Sequence, residues 1–164
     1  MLKRTTTAAL LATLTATGCA GSGRPAADPL PPRAAAALRD AEQFDLLSLD
    51  PRRTDTAAGE RFHGWRVLGR TTVTDAATRD KLATALRRGA RENTTTAAGC
   101  FNPRHAIHTT HGAHAVDLVI CFECLSVAVY EGDERSASFL VSRSPQPAFD
   151  AVLRKSGVPL ATKP

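Results

Sequence analysis

Apolar residues recur along this chain at two spacings, three to four in some segments and two in others. Together they predict the order helix, strand, strand, helix, three strands, helix. Arg33 to about Glu42, mostly alanine behind Pro32 at a first helical position, predicts a short and lightly packed helix. Phe44 to Leu49 predicts a short strand stopped by Asp50 and Pro51. In the segment FHGWRVLGRTTV, Trp65, Val67 and Gly69 alternate with Arg66, Leu68 and Arg70, the period of a strand with one more polar face. Thr74 or Asp75 then offers an N-cap oxygen, and Leu82, Ala85, Leu86 and Gly89 share one face of a helix reaching about Arg91. Asn93 to Gly99 is a threonine-rich loop.

The longest apolar run after the N-terminus is Asp117 to Tyr130, DLVICFECLSVAVY. It holds no glycine or proline and is rich in β-branched and aromatic residues, so it predicts one central strand covered on both faces. Pro103 to Thr109 precedes it across a turn at His111 and Gly112, where glycine accepts positive φ, and a β-hairpin is expected. Pairing Thr109 with His114 would set Asn102 opposite Cys121 and Cys100 opposite Glu123. Beyond Tyr130, EGDERSA reads as a turn and Ser138 to Ser142 as a third antiparallel strand. Ser144 and Pro145 open a last helix with Phe149, Val152 and Leu153 on one face, closed by a Schellman cap at Gly157 that brings Val158 to Leu153. The expected class is α+β: an antiparallel sheet of about five strands, a C-terminal three-strand meander, and two or three helices packed on one face.

The N-terminus begins with a basic pair, Lys3 and Arg4, followed by a short run with Leu10, Leu11 and Leu14 and then small residues up to Cys19. That run falls short of the roughly 20 apolar residues a permanent span needs, and its layout is that of an export signal. Ala16, Thr17, Gly18 and Cys19 resemble the lipobox of bacterial lipoproteins, although Ala16 stands where leucine is commonest. The resemblance implies cleavage before Cys19, lipidation of its sulfur and attachment to the cell envelope. Ala20, in place of Asp, implies the outer membrane facing the periplasm in a cell that has one. Residues 1–18 are then a signal peptide, 19–33 a flexible Gly/Pro/Ala tether and 34–164 a single α+β domain.

Loss of Lys3 and Arg4 leaves nineteen basic against sixteen acidic side chains. So mild an excess, with arginines scattered and no interleaved aromatics, argues against a nucleic-acid partner. Membrane contact through the N-terminal lipid is the one partner the sequence implies, and any protein or small ligand stays unspecified.

With Cys19 assigned to lipid, Cys100, Cys121 and Cys124 remain, an odd number for an oxidising compartment. The hairpin brings Cys100 beside the CFEC segment, so the first expectation is a disulfide from Cys100 to Cys121 or Cys124. A Cys₃His zinc centre using Cys100, His105, Cys121 and Cys124 is the second. It is disfavoured because strand residues three apart point to opposite faces. A reactive pair of Cys121 or Cys124 with His105 and Glu123 is the third, without the helix start that activates a CxxC thiol. Four histidines at 105, 108, 111 and 114 repeat every three residues, and His108 and His114 could approach across the hairpin. They are read first as solvated strand and turn residues, and no cofactor is required. FHGW is expected to place Trp65 in the core.

GxSxG, HExxH, P-loop and GxGxxG motifs are all absent. Asp117 and Glu123, about 20 Å apart on one strand, are too distant for glycosidase work. The CF.PRH segment from Cys100 to His105, followed by CFEC, resembles small uncharacterised exported domains to which no activity is attached. The leading functional expectation is a lipid-anchored, non-enzymatic binding or structural domain. A small redox or zinc module on the three cysteines and His105 is the alternative.

Overall fold

The computed structural model describes residues 27–52, 58–96 and 98–162. The expected export signal, the lipobox-like stretch with Cys19 and most of the expected tether lie outside these residues. The elements are α1 (Pro32–Asp40), β1 (Gln43–Leu49), β2 (Arg61–Phe62), β3 (Trp65–Thr72), α2 (Ala76–Glu92), β4 (His105–His111), β5 (His114–Cys121), β6 (Ser126–Glu131), β7 (Glu134–Leu140) and α3 (Gln146–Lys155). The strands form one antiparallel sheet in the order β2-β3-β1-β4-β5-β6-β7, which curls into a half-barrel. The fold is therefore α+β, as expected, but with seven strands in a curled sheet instead of about five. Among the described residues no helix is long and apolar enough to cross a membrane.

The largest correction concerns Asp117 to Tyr130. It is not one strand but two, β5 and β6, joined by a turn over Phe122 to Leu125. The turn is hidden in the sequence because its Phe122 and Cys124 are as inaccessible as the end of β5, with only Glu123 turned out to solvent. Leu125 takes φ +58° without a glycine to mark the reversal. A second correction lies in EGDERSA, where only Gly132 and Asp133 turn and β7 begins already at Glu134. The hairpin of β4 and β5 is present, with a tight turn at Gly112 (φ +55°). Its register differs from expectation by two residues, Thr109 facing Val116 and His111 facing His114. An even shift leaves every side chain on its expected face.

All three helices cover one face of the sheet, as the sequence anticipated. Ala34, Ala35 and Leu38 of α1, Leu82, Ala83 and Leu86 of α2, and Phe149 and Leu153 of α3 meet Phe44, Leu46, Ile107, Leu118, Ile120, Val127 and Val129. Alanine-rich α1 is buried more closely than expected, and Leu30, within the stretch expected to be a tether, also packs into this core. Local signals are realised: Pro32 opens α1, Asp75 Oδ2 accepts from Thr78 N–H at 2.8 Å, and Val158 N–H reaches Leu153 C=O at 2.9 Å behind Gly157. At Gly89 a Cβ would stand 2.5 Å from Pro145 Cγ and 2.9 Å from Val141 Cγ2. Together with Ser142 N–H on Gly89 C=O at 2.8 Å, this close approach fixes the segment that carries Arg143.

The concave face has its own smaller core of Leu47, Leu49, Trp65, Ala106 and Val119, so Trp65 is buried as expected. Asp50 fastens the end of β1 to β3. It accepts from Arg52 Nε at 3.1 Å and from Arg66 Nη2 at 2.6 Å, and these guanidinium groups, Arg52 foremost, hold its carboxyl well below the usual carboxylate range.

Candidate functional site

At the end of the sheet where β4 begins and β5 turns into β6, a cleft of about 390 Å³ opens between the sheet and α3. Gln146, Asp150 and Arg154 line it from successive turns of α3, because residues four apart share a helix face. Arg104 enters just ahead of β4, where its carbonyl accepts Leu49 N–H at 3.0 Å, and Glu123 comes from the buried turn. Arg143 comes from the segment held against Gly89.

His105 forms the cleft's inner wall. Only 3% exposed, it meets Asp150 Oδ1 through Nε2 at 2.8 Å, and its ring stands edge-on to Phe122 and Phe149 at centroid distances of 5.3 and 6.0 Å. Arg104 pairs with Glu123 through Nη1, while its buried Nε carries no acceptor. Arg143 Nη2 donates to Glu123 C=O at 3.3 Å, and Arg154 lies 3.6 Å from Asp150. Each guanidinium has five N–H donors, and the contacts just described use a minority of them. Three arginines share the cleft with two carboxylates, Glu123 and Asp150, which leaves it with a positive excess suited to an anion.

The sequence-derived cysteine site is only partly assembled. Cys121 and Cys124 are disulfide-bonded to each other, and Cys100 is a free, exposed cysteine. The first expectation paired Cys100 with one of them. It failed on geometry: the pair straddles the buried turn rather than a straight strand, so residues three apart converge. Cys100 is nevertheless adjacent, its sulfur 3.1 Å from that of Cys124. His105 does not join them. It pairs with Ile120 in register and faces the helices, so Cys121, the next residue, points to the opposite face. Among the described residues no group of three or more His, Cys, Asp or Glu side chains is arranged to hold a metal ion. Glu123 serves Arg104 rather than a thiol.

The histidine repeat also resolves into separate fates. His108 does not approach His114 but bonds Asp117 Oδ1 through Nδ1 at 2.6 Å, directly across the strands. Asp117 Oδ2 meets Nε2 of His63 at 2.7 Å, and the His63 ring stacks on Tyr130 at 3.8 Å. His63 sits at φ +48° in the turn between β2 and β3, and the curl of the sheet carries it over to β5 and β6. A carboxylate oxygen only accepts, so the protonated ring nitrogens are Nε2 of His63 and Nδ1 of His108. His111 lies near Glu42 at 3.4 Å, exposed.

Sequence reasoning missed Asp150, Arg104, His63 and the role of Asp117. The available signal was a charged residue inside or beside an apolar run: Asp117 opens DLVIC, and Asp45, which accepts Thr72 Oγ1 at 2.6 Å, interrupts FDLLSL. A second depression, about 430 Å³ at the start of α2, is less promising, since Asp75 already satisfies that helix end. Compared with protein-family models, curated proteins and solved structures, the chain matches none.

Proposed function

We propose that this chain is a lipid-anchored cell-envelope protein that acts by binding, without catalysis, and that the cleft beside α3 takes a small anionic group, a phosphate or a carboxylate. The observation that carries the reading is the convergence of Arg104, Arg143 and Arg154 on one cleft with most of their donors uncommitted and Arg104 Nε buried without an acceptor. Its aromatic-backed His105 and Asp150 give the cleft a rigid wall, which favours selective binding. Attachment rests on the lipobox-like Ala16 to Cys19. After cleavage the chain is anchored through Cys19, on the outer membrane facing the periplasm in a cell that has one. Scattered arginines and mild net charge favour no nucleic-acid partner. A zinc module is not part of this reading, because His105 and Cys121 face opposite sides of the sheet.

Inorganic phosphate titrated into the mature chain at constant ionic strength should move the arginine Nε–H resonances of Arg104 and Arg143. Arg143→Ala should weaken binding about ten-fold, the loss of one or two charge-assisted hydrogen bonds. Shifts that sodium chloride reproduces, with no effect of the substitution, would overturn the anion site. Labelled palmitate should enter the wild-type chain and not Cys19→Ala, and incorporation into that variant would remove the anchor from the proposal.

A further inference from the structure

The three cysteines meet in an arrangement that anion binding does not use. Cys121 and Cys124 are disulfide-bonded and only 1% and 0% exposed, whereas Cys100 is exposed on the loop before β4. The Cys100 sulfur stands 3.1 Å from that of Cys124, inside the ~3.5–4.0 Å at which even two carbons rest in non-bonded contact. The surroundings keep this approach in place. Ala98 N–H donates to Cys124 C=O at 3.2 Å, tying the Cys100 loop to the buried turn, and Asn102 N–H points at Cys124 Sγ at 3.4 Å. Cys124 N–H points at Cys121 Sγ at 3.0 Å.

We propose that these residues form a thiol–disulfide exchange site in which Cys100 relays the buried disulfide to small thiols in solution. Cys100 gives its proton to solvent, and the thiolate attacks Cys124 Sγ. A Cys100–Cys124 bond forms, the Cys121–Cys124 bond breaks, and the electron pair leaves on Cys121 Sγ, which then takes a proton from solvent. One disulfide and one thiol stand on each side, so no oxidant is consumed. The N–H of Cys124 already directed at Cys121 Sγ stabilises the leaving thiolate. The new disulfide has one exposed sulfur, that of Cys100, and there an external thiol can attack. Burial bars such a thiol from the original pair. Exchange with a low-molecular-weight thiol or dithiol is therefore routed through Cys100, and Cys124 is the central sulfur common to both disulfides.

The test uses the full chain with dithiothreitol as the probe. After acid quench and alkylation with N-ethylmaleimide in mildly acidic denaturant, digestion with trypsin and a glutamate-specific protease separates all three cysteines, since Glu123 lies between Cys121 and Cys124. Label should appear on both Cys100 and Cys121, with the two matching disulfides. Cys100→Ser should slow reduction by about ten-fold, because the thiolate relay is lost while an exposed Cys→Ser change leaves the fold within about 0.5 kcal/mol. Wild-type protein whose Cys100 has been blocked by prior native alkylation should behave the same way, which separates the relay from any effect of the substitution on folding. Label confined to a single cysteine, or reduction slowed by less than about three-fold in both blocked forms, overturns the proposal.

Discussion

Replacing Phe149 by alanine should lower stability by about 4 kcal/mol, read as a fall in urea midpoint at unchanged slope. The side chain is fully buried on α3, with Phe122 edge-on at 5.3 Å and His105 at 6.0 Å. Truncation removes the transfer energy of a large ring and leaves a cavity between the helix layer and a sheet that cannot collapse onto it, because Leu118, Ile120 and Leu153 are held by their own neighbours. A loss of this size is a large fraction of the ~5–15 kcal/mol that holds a domain together. The effect reaches the cleft. Phe149 precedes Asp150 and backs His105, so phosphate-induced shifts at Arg104 and Arg143 should shrink in the variant even under conditions where it is folded. Phe149→Leu should cost less than half as much, since most of the volume is kept. A loss under about 1 kcal/mol for the alanine variant would mean that the ring does not join α3 to the sheet.

Asp117→Ala should cost about 2–3 kcal/mol, for a different reason. Here no large volume is lost, but two part-buried imidazoles lose the acceptor that both share, at 2.7 and 2.6 Å. His63 is the more consequential partner, because its contact closes the tip of the β2–β3 hairpin over β5 and β6. The variant should therefore lose the stacking of His63 on Tyr130 and loosen the hairpin, seen as faster amide exchange from Arg61 to Trp65. Nitrogen spectra of the imidazoles provide the specific readout. Wild-type His108 should carry its proton on Nδ1 and His63 on Nε2, and His108 should abandon the Nδ1 form once Asp117 is removed. Asp117→Asn, with one oxygen and one donor in place of two acceptors, should retain a single bond and fall between the two. An alanine variant as stable as the wild type, or a His108 tautomer that does not change, would show that Asp117 does not hold the two rings.

The site at the end of the sheet was half legible from sequence. That Cys100 would lie beside CFEC followed from a hairpin with a glycine turn, and it survived a two-residue error in register because an even shift preserves the face. The disulfide partner was not legible, because the turn over Phe122 to Leu125 bears no glycine or proline to mark the reversal and Glu123 is its one charged residue. Phe122 and Cys124 are apolar because they are buried, and apart from the exposed Glu123 such a turn has the composition of a buried strand. The arginine cleft was not legible either. Gln146, Asp150 and Arg154 show helical spacing, but only docking of α3 against β4 brings them to Arg104 and His105, more than forty residues earlier.

What the sequence by itself determined is whatever neighbouring residues decide: the helices of one face, their caps at Asp75 and Gly157, the turn at Gly112 and the α+β class. Spacing of apolar groups sets which face is buried, and a cap or a positive φ is satisfied within a few residues. The tertiary structure alone decided that the longest apolar run folds back on itself, that His105 and Cys121 part to opposite faces, and that His63 crosses the curled sheet to Asp117. These depend on the curl of seven strands and the docking of α3, which arise from the summed packing of the whole chain and have no local signature.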